Sequence, residues 1–218
     1  IYHSYKAIFK LSHNCVGSMK QNFSILLMQP WVEDFYTTDC RIQPIGLAYL
    51  VGSIKKSLPT VKTSFFDALA GGVRSTIPWP KEFQYLKPYY GTHDRSHHKL
   101  FHAYYRFGKT EKEIRAFLAT HKPDLIAISA LFTPYYRESL KLAQLCKEIF
   151  PNVPIVMGGN HATLSPETLF FPPKLSKLPK GLCDYILRGE AEESIVTLIR
   201  ALNGDCSIES VPNLLEAS

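Results

Sequence analysis

The stretch PIVMGGNHATLSPE, residues 154–167, runs from an apolar segment straight into Gly158, Gly159, Asn160 and His161. Paired glycines at a strand end leave the backbone bare for one of three uses: a tight turn, a ligand lying against the chain, or a catalytic site built on the neighbouring imidazole. A second chemical cluster is THDRSHHKLFHAYY, residues 92–105. Its His93 and His97 lie four apart, as do His98 and His102, and on a helix such pairs share a face and can bind zinc. Zinc needs three or more converging ligands, however. Neither register gathers more than two of these histidines, with Asp94 the one carboxylate nearby, so the cluster reads as packing or solvated imidazoles. Nucleophilic and phosphate-binding patterns are missing. Ser129 lacks the Gly-x-Ser-x-Gly elbow, and the chain has no Gly-x-Gly-x-x-Gly after its first apolar run and no Gly-x-x-x-x-Gly-Lys-Ser/Thr.

Those side chains must be held by a fold, and composition bounds it. The chain has 218 residues, 45% hydrophobic and 20% charged, enough for one generous domain or two small ones. No apolar run approaches the roughly 18 residues of a membrane span, and no compact apolar stretch near the start resembles a secretory signal. The formal charge of +6 is dispersed. Its densest segment, KLSKLPK at 174–180, sits among prolines, so no basic stripe with interleaved aromatics invites nucleic acid. Cys15, Cys40, Cys146, Cys183 and Cys206 are odd in number and lack Cys-x-x-Cys spacing, which points to free thiols in a reducing cytoplasm.

One rhythm repeats along the chain. Apolar runs at 23–30, 61–69, 124–131, 153–159 and 183–190 read as strands. Between and after them, 44–58, 109–123, 134–150 and 191–204 read as helices; Thr110 and Glu113 form a capping box, and Gly204 closes the last helix. Alternating apolar strands and helices mean a parallel sheet covered on both faces, a doubly wound α/β fold of the flavodoxin or Rossmann type with strand order 2-1-3-4-5. Ligands then sit at the carboxyl ends of the strands, where the winding reverses. Residues 1–22 form an amino-terminal extension, with Met19 a possible natural start. Residues 70–108 are an insertion after the second strand, expected to fold as short helices over one edge of the ligand face. Glu33, Asp34 and Asp39 follow the first strand, as acidic residues do in receiver domains, but Arg188, Gly189 and Glu190 follow the fifth where a receiver needs a lysine.

Ser129-x-Leu131 followed by Gly158-Gly159 resembles the Ser-x-Leu and Gly-Gly elements of cobalamin-binding domains. PIGLAYLVGSIK, RFGKTEKEIRAFLATHKPDLIAISALFTPYY, PIVMGGNHATLSPE and CDYILRGEAEESIVTLI are similar to one branch, the amino-terminal cobalamin domains of radical S-adenosylmethionine enzymes. The resemblance covers residues 24 to about 205.

The resemblance implies a cobalamin domain over 23–205, with the corrin across the strand ends and its nucleotide tail running into the sheet beside the third and fourth strands. Gly158 and Gly159 would make room for the tail, Ser129 would offer a hydroxyl to the dimethylbenzimidazole, and Leu131 an apolar wall. Phe132, Thr133, Pro134, Asn160 and His161 would meet the corrin amides, with Arg188, Gly189 and Glu190 completing the site. The segment after the first strand has no Asp-x-His-x-x-Gly, so cobalamin would be bound base-off, with no protein ligand on cobalt. Cys-x-x-x-Cys-x-x-Cys is absent from the sequence, so the [4Fe-4S] cluster and S-adenosylmethionine would belong to a barrel in cis after Ser218, with 206–218 starting the linker. The implied activity is methyl transfer, with cyclisation or rearrangement in some relatives. The alternative is a non-catalytic sensing or scaffold domain that has lost its corrinoid.

Overall fold

A computed structural model describes residues 22–36, 43–89 and 103–217. The extension with Met19 and the four insertion histidines lie outside them. The first strand, β1 (Ser24–Gln29), is buried almost throughout, as its run of Ile, Leu and Met requires. It leads through β2 (Val32–Asp34) to helix α1 (Ile45–Ser57), then β3 (Lys62–Asp67), β4 (Val73–Ile77) and β5 (Tyr104–Gly108). Helix α2 (Glu111–Ala119) starts at Thr110, whose capping box with Glu113 forms as expected. Then come β6 (Leu125–Ser129), α3 (Tyr136–Ile149), β7 (Ile155–Gly158), two short helices α4 (Asn160–Leu164) and α5 (Glu167–Phe170), β8 (Tyr185–Leu187), α6 (Glu192–Leu202) and β9 (Leu214–Glu216).

The main sheet has the order β3-β1-β6-β7-β8-β9. Its parallel part is the expected 2-1-3-4-5 arrangement, but the expected five strands become six, because β9 joins the edge antiparallel to β8. Alternation sorts the side chains into two cores. Leu26, Met28, Ile126, Ile128 and Met157 pack beneath α2 and α3, whereas Ile25, Leu27, Leu125, Ala127 and Val156 pack beneath α1 and α6. Two aspartates clip the amino ends of neighbouring strands. Asp124 accepts from Ser24 N–H at 2.8 Å and Asp184 from Ile155 N–H at 2.7 Å.

The insertion differs from the helical expectation. Among the described residues its regular elements are β4, β5 and one 3-10 turn over Lys81–Leu86. The two strands join β2 in an antiparallel sheet of order β2-β5-β4. The physical reason is long-range pairing: Tyr104, Tyr105 and Phe107 are buried, and β-rich aromatic segments are stabilised by partners that a local helical reading does not see. Phe35 is buried at the centre of this layer, with the rings of Trp79, Phe83 and Tyr104 edge-on to it at 4.7–5.5 Å.

Candidate functional site

The winding reverses between β1 and β6, so the crevice a doubly wound sheet offers to ligands lies at their carboxyl ends. It is lined there by Gln29, Pro30, Trp31, Ser129, Leu131 and Phe132. Register extends the site sideways: Ser129 is level with Gly158, and Gly158 with Leu187. Ser129, Leu131, Gly158 and Gly159 are half-buried, while Phe132, Thr133, Pro134, Asn160, Arg188, Gly189 and Glu190 are exposed around them. The main-sheet topology therefore brings the expected residues to one rim. A separate hollow of about 250 Å³, lined by Phe23, Asp124, Pro154, Leu202 and Asn203, opens at the amino ends, away from the glycines.

The two glycines differ. Gly159 has φ of +117°, and a Cβ there would stand 2.8 Å from the Ala130 carbonyl oxygen and 3.1 Å from Leu131 Cα. That is the left-handed half of backbone space that favours glycine, and the close approach lets His161 N–H donate to the Ala130 carbonyl at 3.1 Å. Its bareness serves backbone against backbone. A Cβ on Gly158 would meet nothing nearer than the Leu187 carbonyl oxygen at 3.6 Å, an ordinary contact without a clash. Ser129 accepts at its carbonyl from the Ser139 hydroxyl at 2.8 Å, while among the described residues no hydrogen bond engages its own hydroxyl.

His161 is turned inward, 1% exposed. Its Nδ1 lies 3.1 Å from Thr133 Oγ1 and its Nε2 2.8 Å from Thr168 Oγ1, and the Tyr136 ring packs on it at 4.9 Å. Burial lowers its pKa, favouring neutral imidazole. With both nitrogens engaged, the imidazole ties the β6 exit to α5. The ring is therefore occupied within the protein and does not face the rim. Nearby, Gly189 adopts φ of +68° and donates its N–H to Thr163 Oγ1 at 2.9 Å, joining the β8 exit to α4.

A buried acidic cluster beside the crevice has no counterpart in the expected site. Glu138 on α3 is 3% exposed, its Oε2 has no hydrogen-bond partner, and Lys141 Nζ stands 3.7 Å from its Oε1. That lysine lies closer to Glu33 Oε2 on β2, at 2.6 Å. Glu33 also accepts from Trp31 Nε1 at 2.9 Å. Burial first, then the charge of Glu33, pushes the Glu138 carboxyl up to about 8, and Lys141 opposes this without cancelling it. Tyr135 O–H donates to Asp34, and Arg137 bonds Glu82 at 2.7 Å, so α3 and the residue before it grip β2 at Glu33 and Asp34 and the 3-10 turn at Glu82. The helical spacing of Glu138 and Lys141 was visible in the sequence; the approach of β2 was not. Among the described residues no group of His, Cys, Asp or Glu is arranged to hold a metal ion, and no helix is long and apolar enough to cross a membrane.

Comparison with known proteins places this geometry. The model of the B12 binding domain matches residues 101–199. The anaerobic magnesium-protoporphyrin IX monomethyl ester cyclase of Cereibacter sphaeroides is 31% identical over 164 residues, which is 74% of this chain and 19% of that protein. The cyclase of the same name from Rubrivivax gelatinosus is 31% identical over 94 residues, 43% of this chain and 16% of that one. An uncharacterized methyltransferase of Pyrococcus horikoshii is 29% identical over 105 residues, 48% of this chain and 21% of the relative. The chain thus spans about a fifth or less of the length of these curated relatives. The radical S-adenosylmethionine methyltransferase TsrM from Kitasatospora setae superposes with a TM-score of 0.55 at 13% identity, over 89% of this chain and 28% of that one, a likeness of fold.

Proposed function

We propose that this chain, which matches the B12 binding domain over residues 101–199, holds cobalamin, base-off, across the carboxyl ends of β1, β6, β7 and β8. The observation that carries the reading is the pairing of an unengaged Ser129 hydroxyl with a position bare of any side chain at Gly158, level with it on the next strand. Such a pairing fits a flat, hydrogen-bonding group that enters the sheet edge. Phe132 and Leu164 add apolar rim, 44% and 76% exposed, suited to the face of a large ring or to a covering domain.

Bound cobalamin would supply the cobalt-centred chemistry, such as carrying a methyl group. The chain's own residues would bind and orient it. Ser129 and Gly158 would receive the tail, Leu131 would wall it, and the exposed loops at 132–134 and 188–190 would meet the ring's periphery. The parent activity proposed is methyl transfer, with an S-adenosylmethionine-cleaving barrel and its [4Fe-4S] cluster in cis, in a reducing cytoplasm. Cyclisation is the other reaction named among the relatives.

The base-off reading rests on the route after β1. That segment carries no histidine, Trp31 is fully buried, and β2 is committed to pairing with β5. Of the described histidines, His121 lies near the amino ends of the strands and His161 is locked by two threonines. Electron paramagnetic resonance of the reduced cob(II)alamin complex is expected to show no nitrogen superhyperfine splitting from the protein. Splitting that vanishes in His161→Ala would refute it. The purified 218-residue chain, which has no Cys-x-x-x-Cys-x-x-Cys, is also expected to form no 5′-deoxyadenosine after iron–sulfur reconstitution.

A further inference from the structure

We propose that Gln29 is a cofactor-positioning residue, a second polar contact that holds the nucleotide end of cobalamin together with Ser129. The inference rests on the cobalamin-binding reading above. Gln29 ends β1 and is 4% exposed. Its backbone carbonyl accepts from Ala68 N–H at 3.0 Å, but among the described residues its side-chain amide has no hydrogen-bond partner. That amide is not among the fully enclosed unpartnered atoms, and Gln29 lines the crevice, so the group is available there to water or a ligand.

Position makes a ligand the fitting partner. Met28 is level with Ile128, so one step further puts Gln29 beside Ser129, which is itself level with Gly158. Alternation places all three on one face of the sheet, the face of Ile25, Leu27, Leu125, Ala127 and Val156. Adjacent strands lie about 4.8 Å apart, so the row from Gln29 to Gly158 spans about 10 Å. That is the scale of a single nucleotide. The row offers an amide that can both donate and accept, a hydroxyl, and a gap where a side chain would be. Both Gln29 and Ser129 also line the switch-point crevice.

The test compares Gln29→Leu with the unaltered chain, using hydroxocobalamin and cobinamide, a corrinoid that lacks the nucleotide tail. The expected result is a loss of cobalamin affinity of about tenfold or more, as follows from removing one buried hydrogen-bonding group from a ligand site. Cobinamide affinity should be unchanged. The ligand-free protein should melt no lower than the unaltered chain, since the replaced amide has no partner to lose. Equal loss with both corrinoids, unchanged cobalamin affinity, or a lowered melting temperature of the ligand-free protein would each overturn the inference. Failure of the unaltered chain to bind either corrinoid is a different outcome, and it would remove the parent reading itself.

Discussion

Gly159→Ala is expected to destabilise the ligand-free protein by about 3 kcal/mol or more, whereas Gly158→Ala leaves its stability nearly unchanged and weakens cobalamin binding. The first cost has two sources. Gly159 holds φ of +117°, and its added Cβ would press on the Ala130 carbonyl at 2.8 Å. Strain of this kind costs about 1–3 kcal/mol, with overpacking adding a comparable amount. At Gly158 the nearest atom to an added Cβ is 3.6 Å away, an ordinary contact. The methyl group would instead project into the space assigned to the cofactor tail, an overpacking cost of roughly 1–3 kcal/mol in binding. Chemical denaturation and corrinoid titration of the two variants check both halves. Equal destabilisation of the two variants, or unchanged cobalamin affinity in Gly158→Ala, would contradict the assignment.

Glu138→Gln is expected to stabilise the protein, and by more as the pH rises. The Glu138 carboxyl is held protonated by burial and by Glu33, its pKa raised to about 8. A raised folded-state pKa means that the stability it contributes is fully present below the unfolded-state value near 4.5 and is lost as pH rises towards 8. Glutamine keeps the shape, adds amide donors that Glu33 can accept from, and carries no proton to lose. The gain should be near zero at pH 4.5 and on the order of 4 kcal/mol at pH 8, at about 1.4 kcal/mol per pH unit between. Urea denaturation at several pH values measures it. A pH-independent difference between variant and parent would show that Glu138 does not titrate in this window.

The sheet was legible because its strands are short apolar runs separated by capped helices, and periodicity with capping is a local signal. Thr110 and Glu113 illustrate this: their spacing forecast a capping box, and both bonds form. The second sheet was not legible. β2 is three residues long and its partner β5 lies about 70 positions away, so no local pattern links Val32–Asp34 to Tyr105–Phe107. For the same reason β9 read as linker, although Leu214–Glu216 completes the sheet edge beside β8. At the rim the sequence pointed to loops that the structure brings together but could not separate Gly158 from Gly159, because the distinction lies in backbone angle and in the proximity of Ala130. His161 likewise looked available to a ligand until the hydroxyls of Thr133 and Thr168 were found on its two nitrogens. Gln29 was hidden as an ordinary strand residue. Its amide becomes conspicuous when its place on the crevice and its lack of a protein partner are seen together.

The central claim, that this chain binds cobalamin at the carboxyl ends of its parallel strands, is tested most directly by titrating it with hydroxocobalamin and following the corrin absorption bands. A saturable spectral change at one cofactor per chain is expected, shifted to higher cofactor concentration in Gly158→Ala under conditions where that variant remains folded. No spectral change and no heat of binding at millimolar cofactor would contradict it.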